Sequence, residues 1–177
     1  MFLFIGDEMN IKNRNDRSYK KHHFVDAIIE MIEPTHFITL SLCQRRAIPN
    51  DENMLGVSWL KGDDAIYTKM HERFVESLSK RLVNRTVWKF HRPILRSAFA
   101  LEGGTNGKLV HAHMIIAKPD DVNEEQFCSL VEETAARNSW VMNGEFAVHI
   151  QSLGSVSEKR RSVFYTTKDG SDRLSFT

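Results

Sequence analysis

Two histidines, His111 and His113, flank one alanine inside the apolar run Leu109-Val110-His111-Ala112-His113-Met114-Ile115-Ile116. The run has strand composition. A strand sends every second side chain to the same face, so both imidazoles point one way. Paired imidazoles are good ligands for a divalent ion, although the same pair is equally at home on a solvated sheet face. Glu102 precedes the turn-like stretch Gly103-Gly104-Thr105-Asn106-Gly107. If that stretch closes a hairpin, Glu102 is brought across the turn as an oxygen ligand. A two-nitrogen, one-oxygen set leaves positions open for water or a phosphate oxygen and suits Mn²⁺, Mg²⁺ or Zn²⁺. His149, in another apolar segment, is a lesser contributor.

A second constellation follows downstream. Phe164-Tyr165-Thr166-Thr167-Lys168 sets a phenol and an ammonium at i and i+3, which share a face if the segment is helical. Only three tyrosines occur, and this one follows the basic stretch Lys159-Arg160-Arg161. A tyrosine can attack a phosphodiester when a cation stabilises the developing charge. An unperturbed phenol titrates at about 10, so at neutral pH it needs that help. Lys168 could orient DNA or neutralise a leaving oxygen. Taken alone, the pair also fits a half-buried tyrosine beside a solvated lysine.

Between Glu76 and Glu102 no acidic residue occurs, while Lys80, Arg81, Arg85, Lys89, Arg92 and Arg96 do, interleaved with Trp88, Phe90 and His91. Cations for phosphates and aromatics for bases are what single-strand binding needs. Gln44-Arg45-Arg46 can add to it. The bland alternative is a solvated helix flank followed by a basic loop. Gly103-Gly104-Thr105-Asn106-Gly107-Lys108 is not a nucleotide-binding loop. Its glycines are too close together, and Leu109 stands where a Ser or Thr would meet Mg²⁺.

These residues need a scaffold, and 177 residues with 41% hydrophobic and 27% charged side chains are enough for one globular domain with a true core. The expected organisation is a single domain over 1–177, with 1–18 as an irregular N-terminal extension. The net charge of +1 argues against indiscriminate coating of nucleic acid and permits a localised groove. Two cysteines, Cys43 and Cys128, make no CxxC pattern, which suits a reduced, cytoplasmic setting. The apolar opening Met1–Ile5 is too short for a signal peptide or a membrane span.

Periodicity gives the element order. Phe24, Ile28, Met31 and Ile32 read as a helix over 20–32, stopped by Pro34. Residues 36–42 alternate as a strand, and 44–63 read as a long connection. Ile66, Met70, Phe74, Leu78 and Leu82 mark a strong helix. Strands are expected at 98–102, 109–116 and 146–150, a helix from the cap Asn123 to 137, and a last helix over 157–168. This order predicts an α+β fold, a central antiparallel sheet with helices packed on one face.

Taken in order, these pieces resemble the HUH endonucleases, specifically the single-tyrosine rolling-circle replication initiators (Rep). The first motif of that family is similar to Phe37-Ile38-Thr39-Leu40-Ser41, the second to His111-Ala112-His113, and the third to Tyr165 with Lys168. Glu102 sits where related initiators carry an acidic metal ligand. The motifs span residues 37 to 168. The tyrosine follows the histidines, unlike conjugative relaxases, and only one tyrosine occupies the third motif. Ala112 is smaller than the residue common between the histidines.

The resemblance implies an RRM-like core and a divalent ion, Mn²⁺ or Mg²⁺ ahead of Zn²⁺, held by His111, His113 and Glu102. It implies catalysis by Tyr165 and Lys168 through a 5′-phosphotyrosine link that frees a 3′-hydroxyl. The expected substrate is single-stranded origin DNA, extruded as a hairpin or melted, contacted by Arg45, Arg46, Arg81, Arg85, Lys89, Arg92, Arg160 and Arg161. No helicase domain is read in the chain, so a host helicase and polymerase are the expected partners, with no membrane, in the cytoplasm of a plasmid or phage host. The alternatives are a single-tyrosine HUH transposase and a non-catalytic RRM-like nucleic-acid-binding domain.

Overall fold

The computed structural model describes residues 21–49, 57–103, 109–168 and 174–177. The irregular extension expected at 1–18 and most of the glycine-rich turn lie outside the described residues.

His36–Leu42 forms β1, buried at every second residue. That alternation follows from Ile38, Leu40 and Leu42 on one side and Phe37, Thr39 and Ser41 on the other. Val110–Ile116 forms β5, and Ser97–Glu102 forms β4. β4 and β5 pair antiparallel with Glu102 opposite His111 and Ala100 opposite His113, the expected hairpin. Gly103 leaves β4 at φ +86°, and a Cβ there would stand 2.2 Å from the Leu109 carbonyl oxygen. Only glycine permits that conformation and that approach.

Val148–Ser152 (β6) and Leu174–Phe176 (β7) complete an antiparallel five-stranded sheet in the order β6-β1-β5-β4-β7. Arg45–Pro49 (β2) and Val57–Lys61 (β3) make a separate two-stranded ribbon, within what the sequence suggests is an irregular connection. β6 starts later than expected because Ala147 closes a turn onto the Gly144 carbonyl, leaving Phe146 largely in solvent.

Helices cover both faces of the sheet, which corrects the expectation of one. Asp64–Leu82 (α2) is capped by the Asp63 carboxylate accepting from Ile66 N at 2.8 Å. Its Tyr67, Met70, Phe74 and Leu78 pack with Phe127 and Val131 of Glu124–Ala136 (α4) against Ile38, Leu40, Leu101, Ala112 and Met114. Residues 21–32 (α1) and Val156–Thr166 (α5) cover the other face, where Val25, Ile28, Ile32 and Val163 meet Ala98 and Ile115. The Met114–Ile116 end of β5 is therefore apolar on both sides, as a strand between two helical layers must be. Val25 points inward while Phe24 and Met31 are exposed. The inward stripe of α1 is thus rotated from the predicted one. Arg85–His91 (α3), within the basic segment and assigned no element from sequence, is a short helix capped by Asn84 with no buried residue.

Candidate functional site

The face that carries the histidines is built in rungs across β6, β1, β5 and β4. Phe37, Ile115 and Ala98 make the rung under α1 and α5. The next holds His149, Thr39, His113 and Ala100, and the third holds Ser41, His111 and Glu102. Helix packing hides the first rung and stops short of the third, so chemistry-bearing side chains line the uncovered end.

α5 delivers the tyrosine. Ser155 caps it, its side chain bonding the Glu158 backbone while Glu158 returns to the Ser155 N–H. Val163 is fully buried and anchors the helix, leaving Tyr165 42% exposed on the outward side. The Tyr165 hydroxyl donates to Glu102 Oε2 at 3.0 Å. The helix proper ends at Thr166, and Lys168 N closes a further turn onto the Tyr165 carbonyl at 3.2 Å. That turn places Lys168 Nζ 2.6 Å from Glu102 Oε1 and 3.8 Å from the centre of the Tyr165 ring.

Glu102 leans diagonally across the strands to His113, whose Nε2 lies 2.7 Å from Oε2. A carboxylate only accepts, so Nε2 carries the proton, and His113 Nδ1 accepts from Thr39 Oγ1 at 3.1 Å. Phe37 stacks on the His113 ring at 5.6 Å and meets Tyr165 edge-on at 6.2 Å. Burial would raise the Glu102 carboxyl, but hydrogen bonds from Lys168, His113 and Tyr165, with the ammonium charge, hold it down at about 2. Burial lowers His113; the neighbouring Lys168 and His111 add to this and Glu102 opposes it. Lys168 is raised despite its desolvation, because Glu102 and Tyr165 favour the ammonium. The cluster is thus a fixed anion bridged to a cation, a neutral imidazole and a phenol.

Glu102, His113, Tyr165 and Lys168 are brought together. His111 shares their face directly across from Glu102, and His149 lies on that face beside Thr39, exposed. The basic residues are dispersed. Arg81 binds the Leu130 carbonyl, Thr134 and Glu133, fastening α2 to α4 on the opposite face. Arg85, Lys89 and Arg92 sit on or just after α3, and Arg92 lines a cleft with Trp88 and Lys80 along the outer side of α2. Arg160 pairs with Asp26 of α1 at 2.8 Å, and Arg161 is exposed. Arg45 is exposed at the start of β2, just past the Ser41 rung, whereas the Arg46 side chain lies outside the described residues.

Sequence reasoning missed Phe37 and Thr39 as parts of the site; alternation with Ile38 put the two on one face of β1, and the register with β5 makes that the histidine face. It also missed another cluster. Among the described residues, one group brings three metal-ligand atoms within 4.8 Å of one another: His36, Glu124 and Cys128. The signal was Glu124 and Cys128 at i and i+4 of a helix, but its histidine comes from a strand far away in sequence. Glu102, His111 and His113 do not form such a group, although Glu102 Oε2 lies 2.7 Å from His113 Nε2. Among the described residues, no helix is long and apolar enough to cross a membrane. Comparison of the chain with protein-family models, curated proteins and solved structures gives no significant match in any of the three.

Proposed function

We propose that this chain is a metal-dependent nicking and joining enzyme for single-stranded DNA, with Tyr165 as nucleophile, acting as a replication initiator of the rolling-circle type. One observation carries the reading. Residues from three separate stretches of sequence meet in a single hydrogen-bonded cluster, Tyr165 and Lys168 from one side and His113 from the other, with Glu102 between them.

The donor set fits a divalent ion. His113, Glu102 and His111 project from paired strands onto one face, and Thr39 can hold the His113 ring in either tautomer because its hydroxyl both donates and accepts. These three residues would hold Mn²⁺ or Mg²⁺, which when bound supplies Lewis-acid polarisation of a phosphate oxygen.

The remaining chemistry belongs to the chain. The Tyr165 oxygen forms a bond to phosphorus while the bond from phosphorus to the 3′-oxygen breaks. The DNA 5′-phosphate is left on the tyrosine, and the released 3′-oxygen takes a proton to become the hydroxyl that primes synthesis. Glu102 orients the phenol. At about 2 its carboxyl is too weak a base to keep the phenolic proton, which passes to water. Lys168, close to both the ring and the carboxylate, stabilises negative charge as it develops. Because the phosphotyrosine retains the energy of the original ester, an incoming 3′-hydroxyl can reverse the step and join ends.

The test is a covalent adduct. Full-length protein is incubated with a labelled, randomised single-stranded DNA pool and Mn²⁺, then run on a denaturing gel. A protein–DNA band is expected that disappears with EDTA and in Tyr165→Phe, and peptide mass spectrometry should place the nucleotide on Tyr165. An adduct that persists in Tyr165→Phe, or no adduct from any sequence in the pool, would reject the assignment.

A further inference from the structure

We propose that His36, Glu124 and Cys128 form a zinc site that ties β1 to α4, separate from the tyrosine site. His36 shares its side of β1 with Ile38 and Leu40, facing α4, whereas His113 and Glu102 occupy the opposite face. The two clusters are therefore divided by the thickness of the sheet.

The His36 ring is almost fully buried, packed against Phe127 at 4.6 Å, with Nε2 2.8 Å from Glu124 Oε1. Its Nδ1 lies 2.9 Å from Thr35 Oγ1, which also accepts from Lys118 N at 2.7 Å and lies 3.4 Å from the Ile116 carbonyl. That threonine decides what the imidazole can do. While Nε2 donates to Glu124, the hydroxyl donates to Nδ1. If the ring proton moves to Nδ1, the hydroxyl can turn its own proton to Ile116 and accept instead. Nε2 then offers a lone pair with no change in ring position, the arrangement metal-bound histidines use.

Glu124 and Cys128 are one helical turn apart, so both side chains rise on the same side of α4. Ser152 of β6 hydrogen-bonds Glu124 Oε1 and so fixes the carboxylate from a third element. All three ligand atoms lie within 4.8 Å of one another, close enough for an ion about 2.0–2.3 Å from each to be reached by small side-chain adjustments. One nitrogen, one oxygen and one sulfur form a set that suits Zn²⁺ and disfavours Mg²⁺ and Ca²⁺, which take oxygen. Cys128 is partly buried and Glu124 exposed, which gives the ion a route in and leaves a fourth position for water. On binding, the thiol proton passes to water as the sulfur–zinc bond forms, and nothing is oxidised or reduced.

Metal-stripped, full-length protein would be titrated with Co²⁺ and then Zn²⁺, followed by absorption and by thermal unfolding. The wild type is expected to show a thiolate-to-cobalt charge-transfer band, displaced by one equivalent of Zn²⁺, and a higher Tm with zinc. Cys128→Ser should abolish the band, and Cys43→Ser should keep it. Should Cys128→Ser not fold, the exposed Glu124→Gln is expected to weaken Zn²⁺ by about tenfold or more. No band in the wild type, a band lost through Cys43 rather than Cys128, or unchanged zinc affinity in Glu124→Gln would overturn the site. The tyrosine cluster holds no thiol, so these readouts stand whether or not the nicking assignment does.

Discussion

Glu102 accepts from Lys168, His113 and Tyr165 at the same time, so any further ligand of the carboxylate competes with one of them. On the proposed function, an ion at Glu102 would compete with the Lys168 ammonium for Oε1, and a displaced Lys168 would be free to meet a phosphate while Tyr165 stays on Oε2. The proposed function therefore gives Lys168 opposite effects on metal binding and on chemistry. In Lys168→Met, Mn²⁺ affinity measured by calorimetry should rise several-fold while the single-turnover rate of adduct formation falls about 100-fold, the usual loss when one charge-stabilising donor is removed. A variant that lost both metal affinity and rate would show that Lys168 merely supports the fold. His113 and Tyr165 were legible in the sequence because their chemistry is scarce and their spacing specific. Thr39 and Phe37 were not, because a threonine and a phenylalanine on a strand have many ordinary uses. Only the rung register shows that one holds the imidazole and the other floors it.

At the scale of elements, the β2–β3 ribbon bears on where the proposed DNA path would run. It leaves the end of β1 next to the Ser41–His111–Glu102 rung, and its Leu60 lines a cleft with Met70 and Phe74 of α2, which packs on the far face. Sequence reasoning grouped Arg45 and Arg46 with Arg81 because charge patterning does not record which side of a sheet a helix takes. The fold holds Arg81 against α4, whereas Arg45 is exposed just past the Ser41 rung. Replacing Arg45 and Arg46 by Ala should weaken single-strand binding and flatten its salt dependence by about one unit of slope per lost phosphate contact. Arg81→Ala should leave that slope alone and instead cost about 1 kcal/mol of stability by unfastening α2 from α4, a fall in Tm of roughly 2–4 °C. Salt titrations by fluorescence anisotropy, beside thermal melts, separate the two, and a slope change in Arg81→Ala would put DNA on the other face.

The long amphipathic helices and the strands flanking the turn were readable because their periodicity is strong and capped, as at Asp63 and Asn123. The ribbon was hidden by Arg, Asn, Asp and Gly, which mark loops as readily as short edge strands. The second helical layer was hidden for a related reason. An unbroken apolar strand such as Met114-Ile115-Ile116 announces burial, not from how many sides.

Over the whole molecule, each face of the sheet encloses a histidine that burial biases towards the neutral form, and this sets how the protein responds to acid. His71 is inserted between α2 and the sheet, stacked on Phe99 at 4.6 Å, with Nε2 3.0 Å from Ser97 Oγ and Nδ1 3.3 Å from Ser175 Oγ. Burial pulls it from 6.5 to about 4. His113 on the other face is lowered as well, and Glu102 is held at about 2. All three bind fewer protons folded than unfolded, so each contribution is complete above the unfolded pKa and lost as the pH falls. The histidines act first, below about 6.5, and Glu102 follows only below about 4.3. His71 alone, at about 1.4 kcal/mol for each pH unit of displacement, should remove on the order of 3 kcal/mol between pH 6.5 and 4. Urea unfolding followed by circular dichroism should give a stability that is flat above neutral pH and falls steadily through that window. His71→Gln, which keeps a polar side chain between the two serines but cannot titrate there, is expected to start less stable and to lose the steeper part of the fall. If its slope matched that of the wild type, proton uptake would lie elsewhere, and the α2 layer would not be the part that acid loosens first.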